Sequence, residues 1–154
     1  MAKKEIDERA WSPADPDTVF ALLADGRTWP TWSGIDSFTL RSPGAGDPEG
    51  LDAIREFHTG RSVSIERVVA RDAGRRFSYI LLEGLPLRDY RADVELEPHD
   101  GGTNIRWHST FFAKRPGTGW LYRLILGKFI RDCVKGLAVH AGDVRSGRAD
   151  RHVA

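Results

Sequence analysis

The chain has 154 residues and 17.2 kDa, with 40% hydrophobic and 29% charged side chains, the size and balance of one globular domain. Its 23 basic and 22 acidic residues leave a net charge of +1, so no global field gathers polyanions and nucleic-acid binding has no compositional support. The single cysteine, Cys133, excludes an internal disulfide, and no apolar run approaches the roughly 18 residues of a membrane span. A cytoplasmic protein without integral membrane association is therefore expected.

Residues 3–11 read as a first strand. Asp15 is then placed as an N-cap with Pro16 at the first helical position, opening a helix whose Val19, Phe20 and Leu23 share a face and which Gly26 ends. A second short helix or turn carries Trp29-Pro30-Thr31-Trp32. The chain extends through Phe38 and Leu40 and loosens into a loop over 43–50, rich in glycine and proline. From Leu51 to Ala113 turn residues punctuate five consecutive antiparallel strands. A long helix runs from about Gly119 to Ala141, with Ile125, Phe129, Cys133 and Leu137 at steps of four and Gly142 as its stop. One domain over 1–144 and a loose tail over 145–154 follow from this division.

Hairpin parity assigns faces. A two-residue turn at Thr59-Gly60 sets Phe57 opposite Ser62, Arg55 opposite Ser64 and Ala53 opposite Glu66. A turn centred on Ala73-Gly74 pairs Ala70 with Phe77, Val68 with Tyr79 and Glu66 with Leu81. A Gly101-Gly102 turn unites Tyr90, Ala92, Val94 and Leu96 with Ile105, Trp107, Ser109 and Phe111. One face thus gathers aromatics and a few polar groups, with Arg55 and Glu66 diagonal across adjacent strands, within reach of a salt bridge or a shared polar ligand group. This puts Ser62, Ser64 and Glu66 inside while Val63, Ile65 and Val69 lie outside, an assignment that a bulge would reverse.

The order of elements, with Asp15-Pro16-Asp17-Thr18-Val19-Phe20, the Trp29 to Trp32 segment, Gly50 five residues before Arg55, Leu85-Pro86 before Tyr90, and Gly101-Gly102-Thr103 before Trp107, resembles the SRPBCC superfamily. The likeness covers roughly residues 3–141 and is strongest to the bacterial polyketide cyclase/dehydrase and lipid-transport-like branch. It implies an α+β helix-grip fold: a curved antiparallel sheet wrapped around a long C-terminal helix, with two short helices after the first strand. It also implies a cavity between sheet and helix for a small, mostly apolar molecule.

Within that frame Phe57, Leu81, Trp107 and Phe111 on the sheet, and Ile125, Phe129 and Cys133 on the helix, are the expected ligand-binding walls. Arg55, Glu66, Tyr79 and Tyr90 are the candidates for orienting and polarising a substrate, should the protein be a cyclase or aromatase. Three functions stay open: binding or carriage of a hydrophobic, aromatic or polyketide-like ligand; cyclase-like catalysis; and an interaction module whose interior its own side chains fill. Gly127 and Gly136 each cost about 1 kcal/mol against alanine in a helix, which close backbone approach or space for a guest would offset. The five histidines show no ligand spacing and the Gly-x-Gly fragments no dinucleotide fingerprint, so neither metal nor cofactor is expected.

Overall fold

A computed structural model describes residues 2–147. Alternation from Lys4 produces the edge strand β1 (Lys4–Ser12). Helix α1 (Pro16–Ala24) follows, where the Asp15 carboxylate accepts hydrogen bonds from the Thr18 backbone N–H (3.3 Å) and hydroxyl (2.6 Å). A 3-10 turn at Gly26–Thr28 leads into the short α2 (Trp29–Trp32). Six further strands complete the sheet: β2 (Ser37–Ser42), β3 (Ile54–Thr59), β4 (Ser62–Asp72), β5 (Arg76–Glu83), β6 (Leu87–His99) and β7 (Gly102–Ala113). Helix α3 (Gly119–Arg145) closes the structure.

The seven strands form one antiparallel sheet in the order β1-β7-β6-β5-β4-β3-β2, and its inner face packs with α1, α2 and α3 around a single core. The expected architecture of a sheet gripping a long helix, with short helices after the first strand, is the one observed. The inner row of β6 and β7 follows the expected parity, with Leu96 opposite Ile105, Val94 opposite Trp107 and Ala92 opposite Ser109.

Three details differ. The β3–β4 turn is Gly60-Arg61, one residue later than expected, because Gly60 supplies the left-handed conformation (φ 58°) at its first position. The register shifts by two residues, which keeps every face and sets Arg55 directly opposite Glu66 rather than diagonal to it. A bulge between Val68 and Ala70 pairs Phe77 with Arg71 instead of Ala70, while Val68–Tyr79 and Glu66–Leu81 pair as expected.

In α3 the inward stripe is Leu126, Ile130, Cys133, Val134, Leu137 and Ala138, and Ile125 is 52% exposed. Steps of four residues advance about 40° beyond a full turn each time, so a series that is centred on the core at Cys133 and Leu137 has rotated into solvent by Ile125. Gly142 does not stop the helix, which continues to Arg145. A Cβ at Gly142 would stand 2.9 Å from the Pro13 ring, so close packing on the β1–α1 link, not termination, accounts for this glycine. Arg145, assigned by sequence to a loose tail, is thus helical; the rest of that tail from residue 148 lies outside the described residues.

Candidate functional site

Alternation on β3 turns Arg55 and Phe57 inward, and Arg55 is only 1% exposed. Its guanidinium lies 5.0 Å from the ring centroids of Trp29 and Phe57, 5.1 Å from Phe77 and 5.8 Å from Phe38. Nη1 donates to the Leu23 carbonyl at 3.3 Å, and Nε stands 3.5 Å from Glu49 Oε1. That same carboxylate oxygen accepts the Gly26 backbone N–H at 2.8 Å. Arg55 therefore ties the 43–50 loop to the end of α1 through an aromatic box, and its Nη2 has no hydrogen-bond partner. Burial pulls the Arg55 pKa down, against the opposing pull of Glu66 and Glu49. Burial likewise pushes the Glu49 carboxyl up, with Arg55 holding it back.

The expected Arg55–Glu66 salt bridge is not formed. The two residues face one another in register, but the long Arg55 side chain reaches Glu49 instead. Glu49 sits in a loop that no periodicity orders, so strand parity could not have found it.

A second polar group lies on the same inner face. Tyr79, Tyr90, Trp107 and Ser109 are buried on β5, β6 and β7, with the Tyr90 hydroxyl 3.0 Å from Ser109 Oγ. The Tyr79 and Tyr90 ring centroids are 6.3 Å apart, and Tyr79 stands edge-on to Trp107 at 6.5 Å. The Trp107 indole N–H neighbours the Tyr79 hydroxyl but makes no hydrogen bond of good geometry, leaving a fully buried donor unpaired. Burial raises the pKa of both phenols and of the Cys133 thiol, so all three are neutral hydrogen-bonding groups near pH 7.

Glu66 lies deep among protein atoms yet retains accessible surface, and it has no hydrogen-bond partner among the described residues. Burial pushes its carboxyl from the ordinary 4.5 up to about 8, with Arg55 opposing. A raised carboxyl pKa means that the folded state holds a proton the unfolded state has lost. The Glu66 contribution is thus intact below pH 4.5 and is lost as pH rises toward about 8. Denaturant titrations from about pH 4 to about pH 9 should show that decline in the natural chain and its absence in Glu66→Gln. Parallel profiles for the two proteins would remove the assignment.

Of the expected ligand walls, Phe57, Trp107, Phe111 and Cys133 are buried on the inner side, Leu81 and Phe129 are partly buried against the core, and Ile125 is outside it. Trp29 and Trp32, absent from the expected walls, occupy much of the space beneath the helices. Their ring centroids are 4.7 Å apart, and Trp29 lies 4.9 Å from Phe57 and 5.6 Å from Trp107. Surface recesses open elsewhere, one on the outer sheet face by Trp11, Arg76 and Arg106 and one between α1 and the 43–50 loop by Phe20, Phe38 and Glu49. Neither includes Tyr79, Tyr90 or Trp107. Among the described residues no three His, Cys, Asp or Glu side chains gather as a metal site, and no helix is long and apolar enough to cross a membrane.

An antiparallel sheet gripping a long C-terminal helix, with an aromatic and sparsely polar interior, defines a helix-grip protein of the SRPBCC superfamily. The chain belongs to the family described as polyketide cyclase / dehydrase and lipid transport, whose model matches residues 4–142. Solved structures with the same fold include a START superfamily protein from Mycobacterium smegmatis, at 13% identity and a TM-score of 0.78, covering 91% of this chain and 98% of that one. A protein from Thermobifida fusca is 25% identical with a TM-score of 0.75, covering 90% and 93% of the two chains. Ara h 8.0201 is 20% identical with a TM-score of 0.71, covering 91% and 98%. Among curated proteins none matches the chain. Members of the superfamily bind hydrophobic ligands.

Proposed function

We propose that the protein binds or carries a small, largely aromatic molecule bearing a neutral acceptor oxygen, a carbonyl or phenol, between the sheet and α3. The observation that carries this reading is the unpaired Trp107 indole N–H, enclosed beside Tyr79 and Tyr90 in an apolar interior. A buried donor without a partner costs about 1–3 kcal/mol, which an acceptor oxygen on a guest would offset. Glu66, held protonated near neutral pH, adds a further donor on the same face. On this reading a guest enters past Leu81, Leu85, Tyr122 and Phe129, which are among the partly buried apolar residues packed against the core. The Lys114 N–H donates to the Pro86 carbonyl at 3.1 Å, which joins the β5–β6 loop to the segment leading into α3 at that end.

Titration with 2-naphthol, 1-tetralone and naphthalene, followed by calorimetry and ligand-observed NMR, tests this. The two oxygenated probes should bind, and Trp107→Phe should weaken them about tenfold while changing naphthalene little. Equal loss for all three probes would assign Trp107 to packing alone. Entry by none of them would mean that Trp29 and Trp32 complete the interior, leaving the interaction-module reading.

Catalysis is a second reading, favoured by one observation: a carboxyl with its pKa near 8 shares a face with two neutral phenols and can deliver a proton to a developing enolate. On a poly-carbonyl substrate, Glu66→Gln would then abolish turnover and leave binding intact.

A further inference from the structure

The first turns of α3 reverse the usual pattern of a surface helix. Exposed beside the inward stripe, where charged residues ordinarily stand, are Trp120, Leu121, Leu124 and Ile125, with Trp120 61% and Leu124 64% exposed. Large apolar side chains grouped in water in this way mark an interaction surface. Between Ala113 and Arg131 the chain has Lys114, Arg115, Arg123, Lys128 and Arg131 and no acidic residue, and the carboxylates of β1 that border Trp120 and Leu124, Glu5, Asp7 and Glu8, are engaged by His108, Arg106 and Arg131. Lys128 is paired with Asp132 (3.1 Å) and Arg131 with Glu8 (3.6 Å). Arg123 donates only to the Glu5 backbone carbonyl (3.2 Å), while the Glu5 carboxylate is held by His108 (2.7 Å). Among the described residues Lys114, Arg115 and Arg123 thus have no carboxylate partner.

Tryptophan and branched aliphatic side chains on a helix face rimmed by unneutralised Lys and Arg are the composition of an interfacial helix. We propose that this face of α3 docks on an anionic lipid surface, with Trp120, Leu121, Leu124 and Ile125 entering the boundary between headgroups and acyl chains. Lys114, Arg115 and Arg123 then meet the lipid phosphates. A second copy of the chain fits this face poorly, because a two-fold contact would set the basic rim against its own image. The docking surface is exposed while Cys133 faces the core, so it stands whether or not the interior holds a ligand. If the interior does hold one, docking brings the β5–β6 end of the sheet–helix layer to the bilayer.

Co-sedimentation of the full chain with vesicles of phosphatidylcholine alone, or mixed with phosphatidylglycerol, tests the proposal. Binding is expected on the mixed vesicles only, weakening as salt rises. Lys114→Ala with Arg115→Ala should lower partitioning about 30-fold, and Leu124→Glu should abolish it without changing the melting curve. Failure to bind the mixed vesicles, binding that ignores the lipid charge, or binding that survives Leu124→Glu each overturns it. So does a concentration-dependent rise in mass that Leu124→Glu abolishes, which would give the face to a second copy. Rejection of the naphthalene probes leaves the vesicle result unaffected, so the two readings fail separately.

Discussion

Arg55→Ala is expected to destabilise the protein by about 3–5 kcal/mol, lowering the melting midpoint by roughly 10 °C for a chain of this length. Three losses combine. The guanidinium leaves a cavity among Trp29, Phe57 and Phe77; the Leu23 carbonyl loses its donor; and Glu49, already pushed toward the neutral form by burial, loses its cation. The last loss is the test of mechanism. A buried charge left alone is costly, whereas apolar replacement of a whole pair is often neutral. Arg55→Met combined with Glu49→Gln should therefore recover most of the stability that Arg55→Ala loses. Urea denaturation of the natural chain and both variants decides it. An Arg55→Ala protein within about 1 kcal/mol of the natural chain would mean that the box packs as well without its cation.

Gly136→Ala should also destabilise, by about 3 kcal/mol, although glycine to alanine in a helix interior ordinarily gains about 1 kcal/mol. A Cβ at position 136 would collide with the Trp32 carbonyl oxygen, which is backbone and cannot turn aside. Accommodating it lifts α2 from α3 and carries Trp29 and Trp32 with it. Gly127 is the internal control: on the same helix a Cβ there meets nothing within 4 Å, so Gly127→Ala should stabilise by about 1 kcal/mol. Thermal melts that shift the same way for both variants would contradict the close approach of α2 and α3.

Sequence raised two explanations for these glycines, close backbone approach and space for a guest, and the structure supports the first at Gly136. Gly136 answers to close backbone approach, whereas Gly127 has open space outside its Cβ. The strand faces were legible because alternation has a period of two, so the two-residue register error at the β3–β4 turn left Phe57, Glu66 and Val68 on their proper side. The α3 face was less legible because four-residue steps drift around a 3.6-residue helix, which placed Ile125 in the wall and passed over Leu126 and Ile130. The partner of Arg55 was not legible at all. Parity locates a Cβ, but a long arginine side chain reaches past its cross-strand neighbour, and here it reaches a loop carboxylate. For the same reason the interior looked emptier in sequence than in structure. Trp29 and Trp32 enter from a short helix outside the sheet's alternation, and only their tertiary placement shows how much of the space they take.

The sheet order has a consequence for synthesis. β1 is hydrogen-bonded along its length to β7, from Lys4 against Phe111 to Ser12 against Thr103, and α3 packs across β1 as well. The first strand thus acquires its partner only after about a hundred further residues have been made, on the order of ten seconds at ribosomal rates. During that interval Ile6, later enclosed by the core, has no surface to bury against, and both edges of the growing hairpin ladder are open. Closure of the sheet waits on β7 and α3, which sets the slow, non-local step of refolding at the joining of β1 to them.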